Sequence, residues 1–123
     1  MINEKHKITA FTDLNAWKEG HNLVLMVYKL INSFPSEEKF ALADQMRRCA
    51  VSITSNIAEG FSRQSKKEKL QFYSIAKGSL TELQNQLIIA RDVKYISELI
   101  FKETVEKTSV VGRLLTGLIQ CMR

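Results

Sequence analysis

The stretch that decides the fold is residues 42–59, LADQMRRCAVSITSNIAE. Its apolar residues recur at spacings of three and four, so that at 100° per residue they fall within an arc of about 80° on one helix face. This apolar face comprises Leu42, Met46, Ala50, Ile53 and Ile57. The stretch therefore predicts an amphipathic helix that packs against other helices.

Polar residues of the same stretch form a second stripe at helical spacing, on a different arc of the helix. Its members are Gln45, Arg48, Ser52, Asn56 and Glu59. A solvated helix face more often carries Lys and Glu than aligned small hydroxyl and amide side chains. Glu59, with Arg48 on the same stripe and Arg63 four residues later, is interpreted as a structural ion-pair network.

Helical periodicity extends in both directions from this stretch and appears four times. The predicted helices cover residues 13–33, 36–59, 65–94 and 97–122. The expected N-caps are Asp13, Ser36, Ser65 and Ser97, and Gly60 is the expected stop of the second helix. Residues 1–11 are expected to be a flexible N-terminus. Four amphipathic helices with short connections predict a single all-α domain, an up-down-up-down antiparallel four-helix bundle.

The other three helices also carry apolar faces. The predicted buried residues are Leu14, Trp17, His21, Val24, Tyr28 and Ile31 in the first helix, Tyr73, Ala76, Leu80, Leu83, Leu87 and Ala90 in the third, and Phe101, Val105, Thr108, Val111, Leu115, Leu118 and Met122 in the fourth. Gly112 and Gly117 lie inside the fourth helix, where each costs up to ~1 kcal/mol relative to Ala. We therefore expect close helix packing at both glycines.

The positive charge of the chain is concentrated in one place. The 18 basic and 13 acidic residues give a net charge of +5. Between Gly60 and Leu80, five cations face Glu68 alone, which leaves +4. Cations at a helix N-terminus are mildly destabilising, which favours an anion-binding function over a merely solvated helix start. The predicted nucleic-acid-binding residues are Arg47, Arg63, Lys66 and Lys67, with Lys69 and Lys77 secondary.

Several classes of protein are excluded by the residues present. Cys49 and Cys121 cannot form a disulfide framework, and with His6 and His21 they match no zinc-ligand spacing. There is no glycine-rich phosphate loop, no Glu-x-x-His pair and no catalytic constellation, so that we expect neither enzymatic activity nor a cofactor. The chain has no signal-peptide pattern and no run of ~20 apolar residues, which predicts a cytoplasmic protein without membrane contact.

The second helix and the turn after it are recognisable. Residues 45–63, QMRRCAVSITSNIAEGFSR, closely resemble the signature of the four-helix bundle proteins encoded in 23S rRNA intervening sequences. The accessory variability proteins of diversity-generating retroelements are a related group. Residues 72–83, FYSIAKGSLTEL, extend the resemblance, as do Trp17, Tyr28 and the Phe34-Pro35 pair.

The resemblance implies a bundle that assembles into a homo-oligomeric ring, typically of five subunits, with a basic surface that binds RNA or DNA. Such a ring would explain the polar stripe of the second helix. Its hydroxyl and amide side chains would allow helices of neighbouring subunits to approach closely and to form hydrogen bonds across the subunit boundary. The expected function is non-enzymatic binding of nucleic acid, RNA in the first place. The alternative is an oligomeric scaffold for an unknown protein partner, with nucleic-acid binding incidental.

Overall fold

The computed structural model describes residues 7–123, and this part of the chain holds four α-helices and no β-strand. The helices are α1 (Asn15–Leu30), α2 (Leu42–Ser62), α3 (Lys66–Asp92) and α4 (Glu98–Cys121). Short 3-10 turns lie at Phe11–Asp13, Ile31–Ser33 and Ser36–Glu38. The all-α prediction is confirmed. His6 and most of the predicted flexible N-terminus lie outside the described residues.

The N-terminal caps of α3 and α4 are the predicted serines. Ser65 Oγ accepts a hydrogen bond from the backbone N–H of Glu68 at 3.1 Å. Ser97 Oγ likewise accepts from the backbone N–H of Ile100 at 3.1 Å. The prediction for Asp13 is wrong, because its carboxylate accepts from Thr9 and Ala10 and the helix begins only at Asn15. These hydrogen bonds lower the pKa of the Asp13 carboxyl.

Both predicted ends of the second helix are wrong. Ser36 opens only a 3-10 turn, and Ala41, with φ −119° and ψ −109°, separates that turn from α2. The Glu38 carboxylate then accepts the N–H of Leu42 at 3.1 Å and so caps α2. At the other end the helix continues through Gly60 to Ser62. Gly60 keeps a negative φ, and its role is close packing rather than helix termination.

The core was predicted best in α2 and α3. All six predicted residues of α3 are buried, and in α2 only Leu42 remains partly exposed. The buried face predicted for α1 was partly wrong, because His21 and Tyr28 are exposed and α1 instead buries a neighbouring stripe. That stripe comprises Ala16, Gly20, Leu23, Val24, Val27 and Leu30. Both stripes have helical spacing, and the close approach of α2 at Gly20 selects the second.

The face of α4 is also rotated from the predicted one. Thr108, Val111 and Leu115 are buried as predicted, and Thr104 and Ile119 are buried as well. The remaining predicted core residues of α4, Phe101, Val105, Leu118 and Met122, are only partly buried. At Gly112 an added Cβ would lie 3.4 Å from Leu80 Cδ2, an ordinary van der Waals distance, so that the packing does not require glycine there. The expectation of close packing is wrong for Gly117, where an added Cβ would meet nothing within 4 Å.

The helix pairs that pack are α1 with α2, α2 with α3, α3 with α4 and α4 with α1. Ser52 of α2 meets Ser79 of α3, while Gly60, further along α2, meets Tyr73, earlier in α3. The turn between α2 and α3 therefore lies at one end of the molecule. At the other end, Ser33 after α1 hydrogen-bonds the carbonyl of Tyr95 before α4. No helix of residues 7–123 combines the length and the hydropathy needed to cross a membrane.

Candidate nucleic-acid interface

The turn between α2 and α3 brings together three of the predicted nucleic-acid-binding residues. Only residues 63–65 separate the two helices, so that Arg63 lies close to Lys66 and Lys67 in the first turn of α3. Both lysines are exposed, and neither forms an ion pair with the described residues. We call Arg63, Lys66 and Lys67 the turn cluster.

Arg63 is held in a fixed position within the turn cluster. Its Nη2 lies 2.6 Å from Glu59 Oε2, and its guanidinium carbon lies 4.8 Å from the ring centroid of Phe72. The side chain remains 39% exposed. An ion pair at this exposure contributes little stability, but stacking on an aromatic ring restricts the guanidinium to one orientation.

Lys69 does not contribute a free cation to the turn cluster. Its Nζ donates to the backbone carbonyl of Phe61 at 2.7 Å and approaches that of Gly60 at 3.4 Å. These carbonyls belong to the last turn of α2, where the unpaired C=O groups carry partial negative charge. Lys69 is therefore a capping residue that ties the start of α3 to the end of α2.

Arg47 and Lys77 lie away from the turn cluster. Arg47 precedes the end of α2 by fifteen residues, about 22 Å along the axis, and contacts Asp44 at 3.4 Å. Its neighbours line a groove of about 490 Å³ that includes Tyr28, Arg48 and Ser55. Lys77 faces α4 instead of α2, and its Nζ donates to Thr116 Oγ1 at 2.9 Å.

The polar stripe of α2 is divided between internal contacts and exposed groups. Ser52 Oγ lies 2.9 Å from Ser79 Oγ of α3, and Asn56 Nδ2 donates to the Ser52 carbonyl at 2.8 Å. Gln45, Arg48 and Glu59 are exposed. Within the chain Arg48 pairs with Asp44 at 2.9 Å, because Glu59 lies eleven residues further along α2, about 16 Å away along the axis. This pairing lowers the pKa of the Asp44 carboxyl.

No cluster of three or more His, Cys, Asp or Glu side chains that could hold a metal ion occurs within residues 7–123. Cys49 is buried, and its Sγ donates to the carbonyl of Ser79 at 2.9 Å. Burial, with a smaller contribution from Glu82, raises the pKa of the thiol to about 12. A thiol that stays protonated at neutral pH is a poor nucleophile and a poor metal ligand.

The family model described as 23S rRNA-intervening sequence protein matches residues 12–117, which is most of the chain. The chain belongs to this family. No functionally curated protein matches the sequence. The resemblance of the α2 signature to this family is thus confirmed.

A solved structure has the same fold as this intervening-sequence protein. It is a protein of unknown function from the S23 ribosomal protein family of Bacteroides thetaiotaomicron, at 1.70 Å resolution. The two chains superpose with a TM-score of 0.79 and 21% sequence identity, over 85% of this chain and 95% of the other. At this identity the comparison establishes the fold.

Two contacts of this intervening-sequence protein could not be read from its sequence. Phe72 carries the Arg63 guanidinium, although nine residues separate the two in the chain. Phe61 lies 5.3 Å from Lys69 Nζ and is only partly exposed. Ser79 contacts both Ser52 of the α2 stripe and the buried Cys49, and the only signal for it was its small size within a helix.

Proposed function

We propose that this intervening-sequence protein is a non-enzymatic, cytoplasmic RNA-binding protein that contacts phosphates through the turn cluster. The observation that carries the proposal is the exposure of Lys66 and Lys67 beside the oriented guanidinium of Arg63. Two lysines in the first turn of a helix oppose the helix dipole, so that their position is unfavourable for stability alone. An anionic ligand removes that cost, because its phosphates complement both the lysines and the helix N-terminus.

We further propose that the chain forms an up-down-up-down bundle and that copies of it assemble into a ring of five. The exposed members of the α2 stripe support this, since Gln45 and Arg48 keep hydrogen-bonding capacity beyond their contacts within the chain. Exposed apolar residues accompany the stripe, with Val51 39% and Tyr28 45% exposed. An apolar surface beside unsatisfied polar groups is typical of a subunit interface. A ring would present the turn cluster five times.

The salt dependence of RNA binding tests the turn cluster. Three phosphate contacts per subunit give a log–log slope of about −2 for a single strand, and several subunits on one RNA steepen it. The measurement is a titration of fluorescein-labelled oligouridine at a series of KCl concentrations. We expect the Lys66→Gln/Lys67→Gln variant to lower the slope by about 1.4.

The matched control for this variant is Lys29→Gln/Lys102→Gln, which removes the same charge from two exposed lysines elsewhere in the fold. Lys29 lies in the last turn of α1 and Lys102 near the start of α4, at the end of the molecule opposite the turn cluster. Equal slopes for the two variants would contradict a specific role of the turn cluster. Binding of the wild type that does not depend on salt would contradict phosphate recognition altogether.

Light scattering tests the ring. Five subunits of 14.1 kDa give about 70 kDa, and a mass near 14 kDa at micromolar concentration would refute the assembly. We expect Asn56→Leu to lower the oligomeric mass, because it replaces an amide of the stripe, while Lys66→Gln leaves the mass unchanged. The same loss of mass in both variants would show that assembly and binding do not use separate faces.

A second candidate function is the scaffolding of a protein partner. An open groove of about 620 Å³ on α3, lined by Leu70, Phe72 and Ile75 among others, favours it, because Ile75 is 51% exposed. Replacing Arg63, Lys66 and Lys67 with Gln separates the two functions. Loss of RNA binding with capture of the protein partner intact would favour the scaffold.

A further inference from the structure

A second basic surface lies between α3 and α4, away from the turn cluster. Two adjoining grooves of about 470 and 360 Å³ follow the line where these helices meet. Both are lined by Lys77, Thr81 and Thr116, so that they form one continuous furrow. Along α4 the furrow extends from Ser109 to Gln120, about 16 Å at 1.5 Å per residue, and Arg123 lines it just beyond the end of the helix. We call it the α3–α4 furrow.

The charged side chains that line the α3–α4 furrow are all cations. It is lined by Lys77, Arg113 and Arg123, and no Asp or Glu of residues 7–123 belongs to the lining. The other four arginines of the chain pair with a carboxylate at 2.6–3.4 Å, namely Arg47, Arg48, Arg63 and Arg91. Arg113 and Arg123 form no such pair with the described residues, and the partner of Lys77 is the neutral Thr116 hydroxyl.

The remaining lining suits a sugar–phosphate backbone better than bases. Its polar members are hydroxyls and amides, from Ser74, Thr81, Gln84, Ser109, Thr116 and Gln120. The lining of the furrow contains no aromatic ring on which a base could stack. Hydroxyl, amide and cationic donors make the contacts to phosphate and sugar that position a strand without reading its sequence.

Gly78 supplies an independent observation. It lines the furrow in the interior of α3, where glycine is less favourable than alanine, yet an added Cβ would meet nothing within 4 Å. The packing of the chain itself therefore does not require glycine there. Without a side chain, the backbone of α3 is open to close approach by a ligand.

We propose that the α3–α4 furrow binds the sugar–phosphate backbone of a single RNA strand, as a contact additional to the turn cluster. The proposal rests on the RNA binding proposed above and assigns the second contact to Lys77, Arg113 and Arg123. Arg113 lies in α4, Lys77 meets the same helix three residues later at Thr116, and Arg123 follows the end of the helix. The three cations thus line one furrow and contact phosphates of the same strand.

The test compares three double variants of the full chain that each remove two positive charges. They are Lys77→Gln/Arg113→Gln in the furrow, Lys66→Gln/Lys67→Gln in the turn cluster, and Lys29→Gln/Lys102→Gln as control. The probe is fluorescein-labelled oligouridine, titrated at a series of KCl concentrations. We expect the furrow variant to lower the salt slope by about 1.4, the equivalent of two phosphate contacts, and the control to leave it unchanged.

The outcomes separate the furrow from the turn cluster. A furrow variant that binds like the control, beside a turn variant that loses affinity, would overturn the furrow and leave the proposed function standing. The reverse result would support the furrow and refute the turn cluster. Absence of wild-type binding at the lowest salt would overturn both. Polyglutamate and polyuridylate can also be compared as competitors at equal total charge. If less polyglutamate than polyuridylate is needed to displace the oligouridine, the furrow is overturned as an RNA site.

A neutral variant checks the furrow without changing its charge. Gly78→Gln places a side chain over the open backbone of α3. The control Gly117→Gln adds the same side chain to α4, where it also meets open space but does not line the furrow. We expect severalfold weaker oligouridine binding for Gly78→Gln alone, with the helical circular dichroism retained in both. Equal affinities in the two variants would contradict close approach of a strand to Gly78.

Discussion

Replacing Gly60 with alanine tests whether this glycine permits close packing of α2 and α3. A Cβ at this position would lie 2.7 and 2.9 Å from two ring carbons of Tyr73 and 3.1 Å from Phe72 Cβ. Tyr73 is only 2% exposed, so that its ring has no free space into which to move. The tyrosine ring must recede by about 0.7 Å to reach the 3.4 Å at which ordinary van der Waals contact begins.

Two effects of opposite sign decide the magnitude. Alanine is favoured over glycine in a helix interior by about 1 kcal/mol. Forcing an extra carbon into a packed core costs about 1–3 kcal/mol, and the contact with a buried ring places this site at the upper end. We therefore expect Gly60→Ala to lower the free energy of unfolding by about 2 kcal/mol. For a chain of this length that loss lowers Tm by about 8 °C.

Thermal unfolding followed by circular dichroism at a single protein concentration is the assay. The control is Gly117→Ala, because an added Cβ there meets nothing within 4 Å and only the helix preference remains. We expect Gly117→Ala to raise Tm by about 4 °C, the equivalent of about 1 kcal/mol. A Gly60→Ala protein as stable as the wild type, beside a stabilised Gly117→Ala protein, would refute the packing argument.

Three further predictions concern single side chains. Lys69→Met should lower the free energy of unfolding by about 1 kcal/mol, because the last carbonyls of α2 lose their charged donor. It should also reduce RNA affinity less than Lys66→Met does. The reverse order of affinities would contradict the capping role. A maleimide at neutral pH should label Cys121 and spare buried Cys49 in the native protein, and mass spectrometry showing equal labelling would contradict that burial. The pKa of Cys49 is raised to about 12 from an ordinary 9.0, so that the contribution of its protonated thiol to stability is complete below pH 9 and is lost as the pH rises toward 12. The stability of Cys49→Ala should therefore fall less steeply above pH 9 than that of the wild type. Parallel pH profiles of the two proteins would refute this.

The sequence by itself predicted the helices and their best-defined faces. Ser65 and Ser97 cap α3 and α4 as expected, because a cap depends on residues three positions apart in the chain. All six residues of the stripe predicted to be buried in α3 are buried. The clustering of Arg63 with Lys66 and Lys67 followed from a short turn between two long helices.

Only the tertiary structure decided which of two adjacent stripes α1 buries and what each cation contacts. His21 is exposed and stacks at 4.9 Å on Trp17, which is only partly buried, although their spacing equals that of the buried residues. Lys69 and Lys77 are lysines of the same helix as Lys66. Lys69 nevertheless caps α2, and Lys77 faces α4. Periodicity fixes which residues share a face of a helix, whereas the partner of that face depends on how closely neighbouring helices approach. That distance is set by glycines and small residues such as Gly20, Gly60 and Ser79, whose neighbours lie far away in the sequence.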